Sequence, residues 1–147
     1  MAFLLGCVLM LVTLLLQTAG VTVLIERLRR IVPRAVRYSG PFHAAMLVFQ
    51  TTIALIILHG LTILLWAGCY RWLCFESWAP ALYFSGSTYP TVGYGDVLLP
   101  PRWRILGTME SIFGVLMCGL SVSLMFALIH ALVTQDEART RSVSSGQ

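Results

Sequence analysis

The sequence contains no lysine, and charged side chains make up only 11% of its 147 residues. A soluble domain carries roughly 25% charged residues, so this scarcity excludes a chain whose whole surface faces water. The four cysteines and three histidines show no metal-ligand spacing, and no nucleophile stands in a motif with a base. We therefore expect neither an enzyme nor a resident cofactor.

Apolar residues dominate instead, at 58% of the chain with a mean hydropathy of +0.84. About 20 consecutive apolar residues suffice to cross a bilayer, and three segments are that long: 1–25, 44–68 and 105–133. The first has no basic residue before its apolar stretch, which favours a retained helix over a cleaved signal peptide. The sequence predicts an all-α membrane protein with three transmembrane helices.

All ten basic residues are arginines, and the net charge is +4. A net positive charge can indicate nucleic-acid binding, but half of the arginines lie within 27–37, beside long uncharged segments. Arginine in short loops typically marks the cytoplasmic face of a membrane. We therefore predict a cytoplasmic loop at 26–43, a short cytoplasmic tail at 134–147, an N-terminus outside the cell (inner or plasma) membrane, and no nucleic acid as a partner.

The same arginines are candidates for contact with anionic lipids, although their role in topology explains them without such contact. They are Arg27, Arg29, Arg30, Arg34 and Arg37. At the opposite face four tryptophans are expected to form an interfacial aromatic belt. These are Trp66, Trp72, Trp78 and Trp103.

The segment between the second and third spans predicts a short helix followed by irregular backbone. Ser77 is a suitable N-cap, and Pro90 ends the helix, which gives a helix over 77–89 that enters a membrane without crossing it. Irregular backbone at membrane depth is tolerated where it lines a watery cavity. Gly93 and Gly95 accept positive φ, so alternating backbone can turn successive carbonyls to one side, where they replace the water shell of a cation.

The sequence Thr-Val-Gly-Tyr-Gly-Asp at 91–96 resembles the selectivity filter of potassium channels. Residues 81–85 match the pore-helix pattern of that family. Arg104 and Gly114 match the arginine that opens the inner helix and the glycine at its gating bend. The resemblance covers 44–133, with an outer helix at 44–68, a pore helix at 77–89, a filter at 91–96 and an inner helix at 105–133. Residues 1–25 form an additional helix outside the family pattern.

The resemblance implies potassium-selective, passive transport. The ion-binding residues would be Thr91, Val92, Gly93, Tyr94 and Gly95, with K⁺ at the carbonyls of the first four and at the Thr91 hydroxyl. Asp96 would lie at the outer mouth, and the Tyr94 side chain would brace the filter against the pore helix. One loop cannot encircle an ion, so the family's four loops imply a homotetramer.

Three departures from the family pattern leave alternatives open. Pro90 stands where a threonine is usual, so a hydroxyl that faces the inner cavity is lost. Phe84 replaces a tryptophan and cannot hydrogen-bond to Tyr94, and Ser87 replaces an acidic residue behind the filter. The alternatives are a weakly selective cation channel and a non-conducting membrane subunit that assembles with other channel chains.

Glu110 lies a few residues inside the third span, where an ionised side chain is costly unless it is paired or hydrogen-bonded. We expect it to support the filter from behind by bonding hydroxyls of the pore helix at Ser85, Ser87 or Thr88; the rival interpretation places it in the permeation path. Phe84 completes the predicted filter support.

Three further features have more than one interpretation. Gly114 is the candidate gating hinge, while close helix packing is the competing explanation, for which Gly119 is an equal candidate. His59 is expected to form an interhelical hydrogen bond rather than to sense protons. Cys69 and Cys74 lie on the outer side, where a disulfide, free thiols and an intersubunit bridge all remain open.

Overall fold

The computed structural model describes residues 1–38 and 41–144, with side chains at 1–32, 42–135 and 137. These residues form α1 (Ala2–Tyr38), α2 (Pro41–Leu73), α3 (Trp78–Thr88) and α4 (Arg104–Ser144), with a 3-10 turn at Pro101–Trp103 before α4. Three of the helices contain stretches long and apolar enough to cross a membrane: Ala2–Val32, Phe42–Leu73 and Pro101–Gln135. The predicted all-α class with three spans is confirmed.

The helices extend further than the sequence predicts. Residues 26–43 are expected to form a loop, but α1 continues through them as far as Tyr38 and α2 begins at Pro41. Similarly, α4 continues through most of the predicted tail to Ser144. Hydropathy measures the part of a helix that can cross a bilayer, and arginine is a good helix former outside it, so the helix does not end where the apolar stretch ends.

Two apolar clusters hold the three long helices together, one at each end of the bundle. At one end Trp66 and Tyr70 of α2 pack with Leu106 and Met109 of α4 and with Leu5 near the start of α1. The other cluster lies where α1 ends, α2 begins and α4 ends, and its buried members include Leu28, Leu47 and Leu128. Hence α1 is antiparallel to α2 and lies alongside α4, and its N-terminus is at the end that holds α3.

Close contact between α1 and the other long helices depends on two glycines. A Cβ on Gly20 would lie 2.6 Å from Cδ1 of Leu58 in α2, and one on Gly6 would collide with the sulfur of Met109 in α4. In addition, the buried Thr62 hydroxyl of α2 donates a 3.4 Å hydrogen bond to Oε1 of Gln17. Helix α1 is therefore packed directly against both neighbouring spans.

The tryptophans do not all lie where the predicted belt requires. Trp72 and Trp78 are exposed, in agreement with an interfacial position, but Trp66 and Trp103 are buried in the core cluster near α3. Both positions suit tryptophan, because its large apolar ring is stabilised either at a lipid interface or by packing. The belt prediction is therefore wrong for Trp66 and Trp103.

Candidate functional site

Helix α3 is a short helix wedged against α2. It spans Trp78–Thr88, with Ser77 in extended conformation at the N-cap and Tyr89 at the C-cap. The Ser77 side chain makes no capping hydrogen bond, so Ser77 occupies the predicted N-cap position without the bond that such a residue usually makes. Ala81 and Ser85 form its buried face, and Oγ of Ser85 lies 3.0 Å from the carbonyl oxygen of Ile63 in α2.

After α3, every second residue from 91 to 95 has a left-handed backbone conformation. Thr91, Gly93 and Gly95 have φ values of 64°, 53° and 79°, while no other described residue has a positive φ. Glycine adopts this region freely, but for the β-branched Thr91 it is strained. Strain of this kind persists only where the surrounding structure imposes it, and it clusters at functional sites.

The loop is held to the end of α3 by backbone hydrogen bonds. The N–H of Thr91 donates to the carbonyl of Thr88 at 2.9 Å, and the N–H of Gly93 donates to the carbonyl of Ser87 at 3.0 Å. Since the second of these bonds spans six residues, it folds residues 91–93 back along the helix. The N–H groups of Thr91 and Gly93 are therefore both bonded to carbonyls of α3.

Tyr83 contacts two of the predicted site residues and was missed by the sequence analysis. Its ring lies nearly parallel to that of Tyr94, at 14° with centroids 6.3 Å apart, and its hydroxyl donates a 2.8 Å bond to Oδ2 of Asp96. That bond raises the pKa of the Tyr83 phenol. Tyr94 is therefore braced against α3 by stacking on Tyr83. The sequence had indicated Phe84, the next residue of the same helix, as a support of the filter.

One face of the loop is uncovered in the single chain. The side chains of Val92 and Tyr94 are 53% and 72% exposed, and Thr91 and Asp96 are also exposed. The rest of the chain therefore leaves this side of the loop uncovered.

Glu110 is fully buried between α2, α3 and α4 and has two hydrogen-bond donors. The Ser85 hydroxyl of α3 donates to Oε1 at 2.5 Å, and the Tyr70 hydroxyl of α2 donates to Oε2 at 2.8 Å. Both carboxyl oxygens are thus bonded, which offsets part of the cost of burying the group. Through Glu110 the helix α4 is tied to α2 and to α3.

The other predicted support residues contact different groups. Phe84 packs edge-on against Tyr70 with ring centroids 5.0 Å apart. The Ser87 hydroxyl bonds the carbonyl of Phe84 in its own helix, and the Thr88 carbonyl accepts a 3.0 Å bond from the Ser111 hydroxyl of α4. Of the three hydroxyls considered as partners of Glu110, only that of Ser85 contacts it.

His59 joins the base of the loop to two spans. One ring nitrogen, Nδ1, lies 2.9 Å from the hydroxyl of Tyr89, and Nε2 lies 2.9 Å from Oγ of Ser121 in α4. Tyr89 itself is buried with Phe113 and Met117 of α4. The predicted interhelical hydrogen bond is confirmed, and it reaches the residue that immediately precedes Pro90.

The candidate hinge Gly114 lies where α4 touches the end of α3. A Cβ there would overlap the carbonyl oxygen of Tyr89 and lie 2.9 Å from its carbonyl carbon, whereas a Cβ on Gly119 would meet nothing within 4 Å. Close packing therefore explains the glycine at Gly114, and it distinguishes this position from Gly119.

Cys69 and Cys74 are free thiols within the chain, and burial raises the pKa of Cys74. In the described part of the chain, no group of three or more His, Cys, Asp or Glu side chains converges as metal ligands would.

The arginine cluster lies on the last turns of α1. Arg27, Arg29 and Arg30 are exposed, and Arg30 forms a 2.7 Å ion pair with Glu26 one turn earlier. The side chains of Arg34 and Arg37 lie outside the described residues.

A comparison with protein families identifies one match. A family model described as "Ion channel" matches residues 46–131, which is more than half of the chain and extends from α2 through α3 and the 91–96 loop into α4. Helix α1 lies outside the matched region. No curated protein and no solved structure matches the chain.

Proposed function

The chain belongs to the ion channel family, and from that premise we propose that it forms a potassium-selective channel. Four copies would surround one pore and pass K⁺ passively across a membrane. The observation that carries the proposal is the alternating left-handed backbone at Thr91, Gly93 and Gly95, within a sequence that resembles the potassium-channel filter.

The alternation supports the proposal because it is the backbone that a column of carbonyl ligands requires. When every second residue is left-handed, successive carbonyls can turn toward the same side of the chain. The oxygens of Thr91, Val92, Gly93 and Tyr94 would then replace the water around K⁺, together with the Thr91 hydroxyl. Gly95 would complete the filter and Asp96 would lie at its outer mouth.

The surroundings of the loop support the same function. Helix α3 ends directly before the loop, and the partly negative C-terminal end of a helix favours a nearby cation. Glu110 is buried and bonded to Ser85 of α3 and Tyr70 of α2, so we assign these three residues to filter support through α3 rather than to ion contact. Tyr83 joins this set, because it holds Tyr94 from the side.

The uncovered face of the loop supports assembly into a homotetramer. Closed cyclic symmetry is common among oligomers, and four loops can enclose the ion on all sides. We propose that the 91–96 loop and the N-terminus lie on the outer side of a cell membrane, with the arginines of α1 on the cytoplasmic side.

Flux into liposomes tests the proposal. Purified protein would be reconstituted into vesicles loaded with K⁺, and uptake of radioactive Rb⁺ would be measured with and without Ba²⁺. We expect Rb⁺ uptake that Ba²⁺ blocks and that excess external Na⁺ does not reduce. Equal uptake of Na⁺ would indicate the weakly selective alternative, and no uptake by intact tetramers would indicate a non-conducting subunit.

A further inference from the structure

A groove runs between α1 and α4 at the end of the bundle away from the 91–96 loop. It encloses about 330 Å³, within the range typical of small-molecule sites. Its walls are apolar and come from both helices: Leu28 and Val32 on α1 face Leu128 and Ala131 on α4. The groove lies outside the interior that the filter and its supporting residues occupy.

The groove lies where the uncharged stretch of α1 ends. Residues 1–25 have no charged side chain and the first charged residue of α1 is Glu26, while Ile25 and Arg29, on either side of that point, both line the groove. In a bilayer, this depth is the boundary between the hydrocarbon core and the headgroup region. An occupant would therefore meet an apolar environment along the groove and a polar one at its mouth.

Arg29 supplies the positive charge at this site. It lines the groove together with Gln135, and it has no ion-pair partner among the described side chains, whereas Arg30 is paired with Glu26. Arg27 faces a different direction, because it borders a small crevice against α2. Two acidic residues, Asp136 and Glu137, follow Gln135 in the sequence; the exposed Glu137 does not line the groove, and the side chain of Asp136 lies outside the described residues.

We infer that this groove binds an anionic phospholipid, with an acyl chain against Leu28, Val32 and Leu128 and the phosphate at Arg29. Basic pockets between transmembrane helices on the cytoplasmic side are suited to lipid headgroups. A water-soluble anion would gain nothing from the apolar walls, whereas a phospholipid uses both the walls and the charge. The site depends on α1, which lies outside the family match, and the inference does not rest on potassium selectivity.

Native mass spectrometry of the detergent-solubilised protein tests the inference. The protein would be titrated with phosphatidylglycerol or with phosphatidylcholine carrying the same acyl chains, and bound lipids would be counted. Arg29→Gln removes the charge at the groove, and Arg27→Gln is the matched control with the same loss of charge two residues away. Ala131→Phe fills the groove without changing the charge.

We expect phosphatidylglycerol to bind more tightly than phosphatidylcholine. One arginine near a headgroup accounts for roughly a fivefold change in affinity, so Arg29→Gln should weaken phosphatidylglycerol binding about fivefold. Arg27→Gln should weaken it less, and Ala131→Phe should weaken the binding of both lipids. Circular dichroism would verify that each variant retains its helices.

Three results would overturn the inference. Equal losses in Arg29→Gln and Arg27→Gln would indicate diffuse attraction to the arginine cluster. Equal affinity for the two lipids would remove the role of the charge. A stable oligomer that binds no lipid, and that dissociates when Ala131 becomes Phe, would show that a neighbouring copy of the chain fills the groove.

Discussion

Replacement of Tyr70 by Phe tests the hydrogen bonding around the buried Glu110 with the loss of a single oxygen atom. The Tyr70 hydroxyl donates to Oε2 of the fully buried Glu110 at 2.8 Å, while the ring packs edge-on against Phe84. Phenylalanine keeps the ring and its packing. Any effect of Tyr70→Phe therefore reports the hydrogen bond, because the shape of the core is conserved.

The magnitude follows from what remains around the carboxyl group. After the change Glu110 keeps the bond from Ser85, but its second oxygen is buried without a donor. An unsatisfied buried acceptor costs about 1–3 kcal/mol, so we expect a loss of about 2 kcal/mol in the free energy of unfolding. For a chain of this size each kcal/mol lowers Tm by roughly 2–4 °C, which gives a decrease of about 4–8 °C.

Thermal unfolding of the protein in detergent, followed by circular dichroism, measures this change. Trp72→Phe is the matched control, because Trp72 lies two residues further along α2 and its side chain is 92% exposed; it should leave Tm unchanged. Glu110→Gln should largely preserve Tm, and Glu110→Ala should lower it or weaken the tetramer. An unchanged Tm in Tyr70→Phe, alongside a destabilised Glu110→Ala, would refute the role assigned to the hydroxyl.

Three further changes probe the loop and its contacts. Gly93→Ala should abolish K⁺ selectivity or conduction in liposome flux with the oligomer intact, because a Cβ at φ 53° adds roughly 1–2 kcal/mol of backbone strain; normal selectivity would contradict this. Gly114→Ala should lower Tm, because its Cβ overlaps a carbonyl at the end of α3, whereas Gly119→Ala has room and should not; equal Tm values would count against close packing. Tyr83→Phe should remove one phenol that titrates above the ordinary tyrosine pKa, since the folded state holds its proton through the bond to Asp96. The ultraviolet difference titration measures it, and loss of a phenol with an ordinary pKa would show that the bond does not form.

Signals carried by neighbouring residues were sufficient to predict the order of the helices, but not where α1 and α4 end. Length and hydropathy identified three spans, and Pro90 together with Ser77 limited the short helix to 77–89, against Trp78–Thr88 in the structure. The two glycines predicted positive φ where it occurs, at Gly93 and Gly95. The left-handed Thr91 was not predicted, because a β-branched residue adopts this conformation only when its surroundings impose it.

Contacts between helices were harder to predict. The spans are apolar on nearly every side, so the sequence does not indicate which face is buried. For this reason the burial of Trp66 was missed, and Tyr70 was not identified as a partner of Glu110. The bridge from His59 to Tyr89 and Ser121 requires three elements in register. For His59 the sequence predicted an interhelical hydrogen bond but not its partners, since a polar group within a span needs a hydrogen bond.

The reversal potential under bi-ionic conditions tests the central claim most directly. The purified protein would be incorporated into a planar lipid bilayer with K⁺ on one side and an equal concentration of Na⁺ on the other. We predict a current that reverses only when a large voltage, negative on the K⁺ side and opposing K⁺ efflux, is applied, because we propose that the carbonyls of residues 91–94 replace the water shell of K⁺. A current that reverses at zero voltage would show that K⁺ and Na⁺ permeate equally and would contradict the potassium-selective filter.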